Sequence, residues 1–433
     1  MTEVHMKYNK QNEKIEMITE DFLIVAIDVG STTHYARAFD YRGIEYSKKA
    51  FSFKNTDQGF KTFKSWACAI AVQNKKKIFL VGMEPTGHYW FNLGKFVQNS
   101  GMILAHVNPA AVKKSKELDD NDPSKNDRKD PKVIAGLLKD GRYSFPYMPE
   151  GVYAKIRDIS YLRDDAQKSL IRIKNRLARW LSIYFPEYKE VYGQIDAKTG
   201  MLILEEYPLP KDIVTLDVEG VIKIWKSHKA RGAGQRRAEK LVNAAKRSVG
   251  RTESDEIARI ELKVLLKDLK EYQQRVQVYE NLAFEALLEV PNAEKLLNIC
   301  GVGVVSVMRF VAEVGDISRF NNAKEIQKLA GLSIKTNSSG KHEGVGKITY
   351  RGRKRLRYGM YELAISLVSR NKAFKSIHQY FTTRQNNPLK GMQSMVAISC
   401  KVIRIFFGIL VNGYEFDENK MLQDIVRPEA TIA

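Results

Sequence analysis

Four carboxylates stand in places where an acid is costly unless it is used. Asp28 closes FLIVAIDVG (22–30), an apolar run ended by a glycine, which reads as a buried strand. A lone ionised carboxylate there is expensive unless it is paired or bound to a metal. Glu84 ends a second apolar strand, IFLVGME (78–84), within VGMEPTGHYW. Asp127 and Asp130, in KNDRKDPKVIAGLL, are three apart, so on a helix they would share one face. Strand-end carboxylates meeting an acidic helix turn make the oxygen-rich site that Mg2+ prefers. Two such ions activate a nucleophile and stabilise the leaving oxygen of a phosphodiester. The structural alternatives stay open: Asp28 as a strand-terminal turn former, Asp127 or Asp130 as a helix cap. Pro131 favours the first helical position, which makes Asp130 the cap and leaves Asp127 just outside the helix.

A second kind of chemistry is suggested by KTNSSGKHEG (335–344), where Ser338 and Ser339 precede Gly340. Locally this is a turn signal, since glycine accepts positive φ and serine bonds nearby backbone. Beyond it lies YRGRKRLRYGMYELAISL, a helix with Leu356, Met360, Leu363 and Leu367 on its apolar face. Arg351, Arg353, Lys354, Arg355 and Arg357 crowd the start of that helix. Cations are disfavoured at a helix N-terminus, so a bound polyanion explains them better than a solvated face does. Upstream, Gly301 and Gly303 form a Gly-x-Gly turn into a helix, whose exposed amides can hold a phosphate of the DNA backbone.

Composition agrees with a polyanionic partner. The 433 residues carry 71 basic and 50 acidic side chains, a formal charge of +21 that far exceeds what solubility needs. Nucleic acid leads and a membrane surface competes, but apolar runs such as FLIVAI and IFFGILV are too short to span a bilayer. The first residues lack the apolar core of a signal peptide, so export is not expected and a cytoplasmic setting is. Cys68, Cys300 and Cys400 are far apart and unpaired in motif, which fits a reducing compartment and argues against a zinc knuckle. The seven histidines are equally scattered, so any metal must be held by carboxylates.

The elements that must position these groups can be sketched. Residues 22–30 form one strand, 33–53 two strands joined at DYRG, and Asn55 and Thr56 start a helix with Phe60, Phe63, Trp66 and Ile70 at helical spacing. Strand 78–84, a short helix from Trp90, strand 102–109 and a helix carrying VIAGLLKDG follow, which together describe a mixed α/β domain. From Tyr153 a long helix runs through Ile156, Ile159, Leu162, Ala166, Leu170, Ile173, Leu177, Leu181 and Tyr184 until Pro186 stops it. Its other faces carry Arg157, Lys168, Arg172, Lys174, Arg176 and Arg179, a solvated face or a nucleic-acid surface. Residues 226–240 read as a basic connector. Residues 253–289 show a heptad register, with Leu262, Leu269, Val276 and Ala283 alternating with Leu265, Tyr272, Tyr279 and Ala286. That spacing predicts a coiled coil, paired within the chain or with another subunit.

The chain resembles the DEDD transposases of bacterial insertion sequences, specifically the IS one-ten family, over about residues 22–415. The resemblance rests on the order and spacing of VAIDVGSTTH, GMEPTGHYW, NPAAVKKSKELDDNDPSKNDRKDPKVIA, CGVGVVSVMRFVAEVGDISRF and KLAGLSIKTNSSGKHEGVGKITYRGRKRLR. It implies an RNase H-like (RuvC-like) α/β domain at 22–146 after an extension at 1–21. A helical and coiled-coil region at 150–290, a mainly helical C-terminal domain at 291–415 and a tail at 416–433 would follow. It places the acidic tetrad on Asp28, Glu84, Asp127 and Asp130, and the nucleophilic serine on Ser339. It also implies Mg2+, double-stranded DNA as substrate and a structured guide RNA from the element's own ends, while two separated half-sites and the heptad helix point to a homodimer or homotetramer.

The only nearby histidine is His342, so metal activation is the simpler account of a reactive serine. Three positions depart from the family's pattern: Ser31 where a lysine is common, Pro131 where alanine usually follows the last aspartate, and Cys300 where a proline usually precedes the glycine turn. Two other readings remain: a RuvC-like nuclease that hydrolyses DNA with water and no covalent intermediate, and a non-catalytic nucleic-acid scaffold.

Overall fold

The computed structural model describes residues 11–85, 87–119, 130–231, 234–335, 338–339, 342–343 and 347–423. The chain divides into two compact units, one up to Met148 and one from Pro149 onward.

The first unit is built on a six-stranded mixed sheet. Its strands are β1 (Phe22–Asp28), β2 (Thr33–Phe39), β3 (Phe51–Lys54), β4 (Ile78–Met83), β5 (Ile103–Val107) and β6 (Tyr143–Ser144), in the order β3-β2-β1-β4-β5-β6. β1 runs antiparallel to β2 and parallel to β4, with Ile27 opposite Met83. β5 lies parallel to β4 and β6 antiparallel to β5. This is the RNase H-like arrangement that the resemblance implied.

Burial on both faces explains why β1 reads as a continuous apolar run. Its side chains alternate between two cores. Leu23, Val25 and Ile27 face a core that includes Phe60 and Phe63 of α1 (Asp57–Gln73) and Leu93 and Val97 of α2 (Trp90–Asn99). Ile24 and Ala26 face a second core with Val112 of α3 (Pro109–Asp119) and Val133, Ile134 and Leu138 of α4 (Asp130–Lys139). The first turn of α1 is capped by Thr56, whose hydroxyl accepts from the Gly59 N–H at 3.2 Å. The sequence reading had no counterpart of α3. Among the side chains described in this lysine-rich helix of low apolarity, Val112 is the buried one.

The second unit is helical, with one small exception. Two 34-residue helices, α5 (Gly151–Tyr184) and α10 (Asp255–Leu288), pack antiparallel along each other. The Trp180 indole N–H donates to the Ala258 carbonyl at 3.0 Å near one end, while Arg163 meets Glu280 at 2.8 Å near the other. The heptad helix therefore finds its partner inside the chain. Leu262, Leu265, Leu269, Val276, Ala283 and Ala286 are buried there. Pro186 marks the end of α5 as expected.

Between the long helices lie α6 (Tyr188–Val191), α7 (Lys198–Glu206), α8 (Pro210–Ser227) and α9 (Gln235–Lys246). They share a core with the halves of α5 and α10 nearest to them. The helix α9 corrects the expected connector at 226–240. Behind its run of Gln, Arg and Lys, the residues Ala238, Leu241, Val242 and Ala245 repeat at helical spacing and are buried.

The other halves of α5 and α10 join a second core with α11 (Ala293–Leu297), α12 (Val304–Val314), α13 (Ala323–Ala330), α14 (Lys354–Arg370), α15 (Lys372–Thr383), α16 (Gly391–Asn412) and α17 (Glu418–Leu422). The run IFFGILV is part of α16, whose 22 residues are long and apolar enough to cross a membrane. That corrects the length argument made from the run alone. Over half of its most apolar stretch is buried inside the protein, which accounts for the composition without a bilayer. Between α13 and α14 sit the only strands described in this unit: β7 (Ile334–Lys335) paired with β10 (Lys347–Ile348), and β8 (Ser338–Ser339) paired with β9 (His342–Glu343).

Candidate functional site

Strand alternation explains how the acids of the first unit come together. Asp28 follows Ala26, and Glu84 follows Gly82, by two positions each, so both belong on the face covered by α4. In register, Asp28 ends β1 where Glu84 follows the last residue of β4, on neighbouring parallel strands. Adjacent strands lie about 4.8 Å apart, so the two carboxylates sit at the same end of the sheet. Gly82 allows α4 to come close: a Cβ there would fall 2.3 Å from a Leu138 methyl. The helix lying against the sheet begins with Asp130, whose charge acts on Glu84.

Two of these acids interact electrostatically. Burial raises the pKa of Glu84, the Lys116 ammonium opposes that rise, and the negative charge of Asp130 adds to it. Lys116, from α3, also forms an ion pair with Asp130 at 2.5 Å. Like charges held together in a half-buried setting are disfavoured unless a cation lies between them. Lys116 supplies one positive charge, and the other donors are all oxygen, which fits a hard divalent cation. Among the described residues no three ligating side chains close into a metal cage. Asp127, the fourth acid of the expected set, lies outside the described residues. The cap expected at Asp130 is instead the first residue of α4, with Pro131 second.

One strand further on, His106 of β5 is opposite Met83 in register and packs on the other face of the sheet, with its ring 4.2 Å from the Trp90 ring. Burial lowers its pKa to about 4, so it is a neutral core side chain and not part of the acidic cluster.

In the second unit Ser339 ends β8, and its register partner across the pair is His342. Ser338 and Ser339 are therefore strand residues and not the expected turn. Gly303 is the N-cap of α12, and Gly301 takes φ +95° while its carbonyl accepts from the Ser366 hydroxyl at 2.8 Å. The glycine turn into a helix is thus present, and Gly301 has a packing reason of its own.

The basic start of α14 differs from expectation. Arg355 donates to Asp164 at 2.8 Å, lies 3.3 Å from a Glu313 carboxyl oxygen, and stacks over the Tyr161 ring at 3.8 Å. Arg353 donates to the Glu313 carbonyl, and Arg357 donates to the Ala330 carbonyl at 2.9 Å. Glu313 and Ala330 belong to the last turns of α12 and α13, so these cations meet the negative ends of two other helices. Asp164 is also held by Arg309 at 3.1 Å. Burial alone would raise its carboxyl, but Arg309 and Arg355 outweigh that and hold it below the usual range. The anion expected to explain Arg353, Arg355 and Arg357 is largely the protein itself. Arg351 and Lys354 are exposed.

Outward-facing positive charge is found on α5 instead. Lys168, Arg172, Arg176 and Arg179 are exposed and spaced by four, four and three residues, so they form one stripe. Lys168 is paired to Asp165 and Lys174 to Asp196.

These two regions correspond to two known domains. A profile described as a DEDD transposase domain of IS110 type matches residues 25–186, and one described as transposase IS116/IS110/IS902 family matches residues 293–379. The chain is 24% identical over 287 residues to an insertion element IS116 uncharacterized 44.8 kDa protein of Streptomyces clavuligerus, covering 66% of this chain and 71% of that one. It is 22% identical over 331 residues to an insertion element IS110 uncharacterized 43.6 kDa protein of Streptomyces coelicolor, covering 75% and 79%. The DEDD domain type implies a metal-dependent catalytic site. With an RNase H-like sheet carrying clustered acids and a second, helical unit matched by the C-terminal profile, the chain belongs to the IS110/IS116 family of transposases, enzymes that act on DNA.

Proposed function

We propose that this transposase cuts and rejoins the DNA of an insertion sequence with two sets of groups, Mg2+-binding acids and a serine nucleophile. Asp28, Glu84, Asp127 and Asp130 are the metal ligands, and bound Mg2+ supplies electrophilic activation of the phosphodiester. The observation that carries the metal reading is the meeting of Glu84 with Asp130 at the strand ends, two half-buried acids whose charges oppose each other. Ser339 supplies the attacking oxygen. Its bond to phosphorus forms as the bond from phosphorus to one deoxyribose oxygen breaks, and that oxygen leaves as a hydroxyl. The product is a serine phosphodiester that the second strand's hydroxyl resolves.

On this reading residues 22–146 hold the metal chemistry, 150–290 form the helical region and 291–415 hold the serine. Residues 1–21 and 416–433 are an extension and a tail. The α5 stripe of Lys168, Arg172, Arg176 and Arg179 suits a nucleic-acid backbone, and a structured guide RNA is the partner assigned to it. Ile257, Ile260 and Val264, and beyond the charged Glu271 and Arg275 also Val278 and Leu282, are exposed on one face of α10, and a homodimer or homotetramer is the assembly assigned to that face.

The test is Ser339→Ala in the full-length chain. Denaturing gels should show no DNA-linked protein and strand exchange should be lost, while Ser338→Ala retains both. Trapped covalent DNA in Ser339→Ala would reject Ser339 as the nucleophile, and continued strand cleavage with no covalent DNA in either protein would favour hydrolysis by water, the RuvC-like nuclease alternative. His342 stands opposite Ser339 in the strand pair, so His342→Ala separates base from metal activation. A loss of adduct that added Mg2+ does not restore would assign the proton to His342.

A further inference from the structure

The segment carrying Ser339 leaves and re-enters the helical unit through a closed backbone crossing. At its entrance Gly331 takes φ +72° and ends α13. At its exit Tyr350 takes φ +55°, a strained conformation for a bulky residue that persists only where the surroundings hold it. The two sides are tied by backbone bonds: Tyr350 N–H to the Gly331 carbonyl at 3.1 Å, Thr349 N–H to the Ser333 carbonyl at 2.8 Å, and Arg353 N–H to the Leu329 carbonyl at 2.7 Å. The crossing is tight enough to demand glycine on both sides. A Cβ at Gly352 would lie 2.5 Å from the Gly331 nitrogen, and one at Gly331 would lie 3.0 Å from the Tyr350 carbonyl carbon.

Two side chains join both sides of this crossing: the Thr349 hydroxyl donates to the Gly331 carbonyl at 3.3 Å, and Arg357 bonds to each side. Arg357 Nη1 donates to the Ala330 carbonyl at 2.9 Å on the incoming chain and to the Tyr350 carbonyl at 3.2 Å on the outgoing chain. Its guanidinium also lies 5.3 Å from the centre of the Tyr350 ring. Arg357 is fixed in turn by α14, whose neighbouring Leu356 and Met360 are core residues. Beyond the crossing, Ile334 and Lys335 pair with Ile348 and Lys347 in register, extending the same base outward.

We propose that Arg357 is a positioning residue for the reaction: with Gly331 and Gly352 it forms a clasp that fixes the pedestal of the serine-bearing hairpin. The proposal rests on the reading of Ser339 as nucleophile for its effect on chemistry, while the clasp itself does not. Displacing a nucleophile by an ångström costs about a hundredfold in rate.

The experiment compares Arg357→Ala, Arg357→Lys and Gly331→Ala with wild type in the full-length chain. The readouts are amide hydrogen exchange, single-turnover formation of the covalent DNA complex, and DNA affinity. In Arg357→Ala the Thr349 and Tyr350 amides should exchange about tenfold faster as the crossing opens locally. Covalent-complex formation should slow about a hundredfold, with DNA affinity within about twofold of wild type. Arg357→Lys keeps a donor able to reach a carbonyl and should recover part of both effects. Gly331→Ala attacks the clasp from the other side and should reproduce them.

Wild-type exchange at Thr349 and Tyr350 in a folded Arg357→Ala protein would overturn the clasp, and rate loss only in proportion to the unfolded fraction would overturn the positioning role. If Arg357→Ala fails to fold, Arg357→Lys and Gly331→Ala decide by the same two readouts. If Ser339→Ala still traps DNA, the nucleophile reading falls. The exchange result then judges the clasp by itself.

Discussion

Two half-buried carboxylates in this molecule, Glu84 and Asp164, each lie beside cations, and their pKa values move in opposite directions. Glu84 has burial and the charge of Asp130 against it and one lysine for it, and its pKa rises. Asp164 has the same burial penalty but two arginines, Arg309 and Arg355, bonded to it, and its pKa falls. The Asp164 cluster is internally satisfied and holds α5, α12 and α14 together. Among the described residues one lysine, Lys116, acts on Glu84 against the charge of Asp130. A folded protein keeps such a balance only where something else supplies a cation, which is why perturbed acids of this kind mark functional sites.

Opposite signatures under mutation would sharpen the contrast, and the largest effect belongs to Glu84. Glu84→Gln should slow DNA cleavage by more than the roughly hundredfold that losing an outer-shell partner of a metal costs. DNA affinity and thermal stability should hold or improve, because a neutral amide removes the like-charge conflict with Asp130. A fall in melting temperature with cleavage intact would make Glu84 a structural acid and erase the distinction.

Asp164→Asn should do the reverse. Breaking a partly buried ion pair removes the carboxylate that Arg309 and Arg355 share, leaving each with one acid, Glu362 and Glu313, and costs about 3 kcal/mol, readable by urea unfolding. Cleavage per folded molecule should stay near wild type.

The pH dependence follows in sign. Asp164 has a folded pKa below its unfolded value of 3.8, so its stabilisation is complete above that value and is lost as pH falls through the folded pKa. Wild type should therefore converge on Asp164→Asn in strongly acidic solution, and parallel curves throughout would refute the assignment. The smallest effect is expected on α5. Arg176→Gln with Arg179→Gln should lower the salt slope of nucleic-acid binding by roughly 0.9 per lost phosphate contact, with little change in stability. An unchanged slope would make the stripe a solvated face.

Much of the first unit was legible because its central strands, β1 and β4, are apolar runs ended by an acid. Asp28 and Glu84 stood out as charges terminating such runs, and the sheet puts those run ends side by side. The helix α3 was missed because Val112, the buried one among its described side chains, leaves no apolar stripe, and with it Lys116 was missed. Nothing in NPAAVKKSKELDD marks one lysine out of three. The basic run 351–357 was legible as a cluster but not in its partners: Asp164 and Glu313 lie far away in sequence, and no local pattern pairs them with arginines. The segment 235–246 hid a helix for a similar reason, since its charge outweighs its small apolar residues, chiefly alanine.

By itself, then, the amino-acid order determined which residues could do chemistry, because burial makes an acid at the end of an apolar strand costly and the family's motif order is carried in the chain. Only the tertiary structure decided which charges oppose and which cancel. Coulombic partners are set by distance in space, and it took α4 lying across Gly82 to bring Asp130 to Glu84, and α14 reaching α5 to neutralise Arg355 with Asp164.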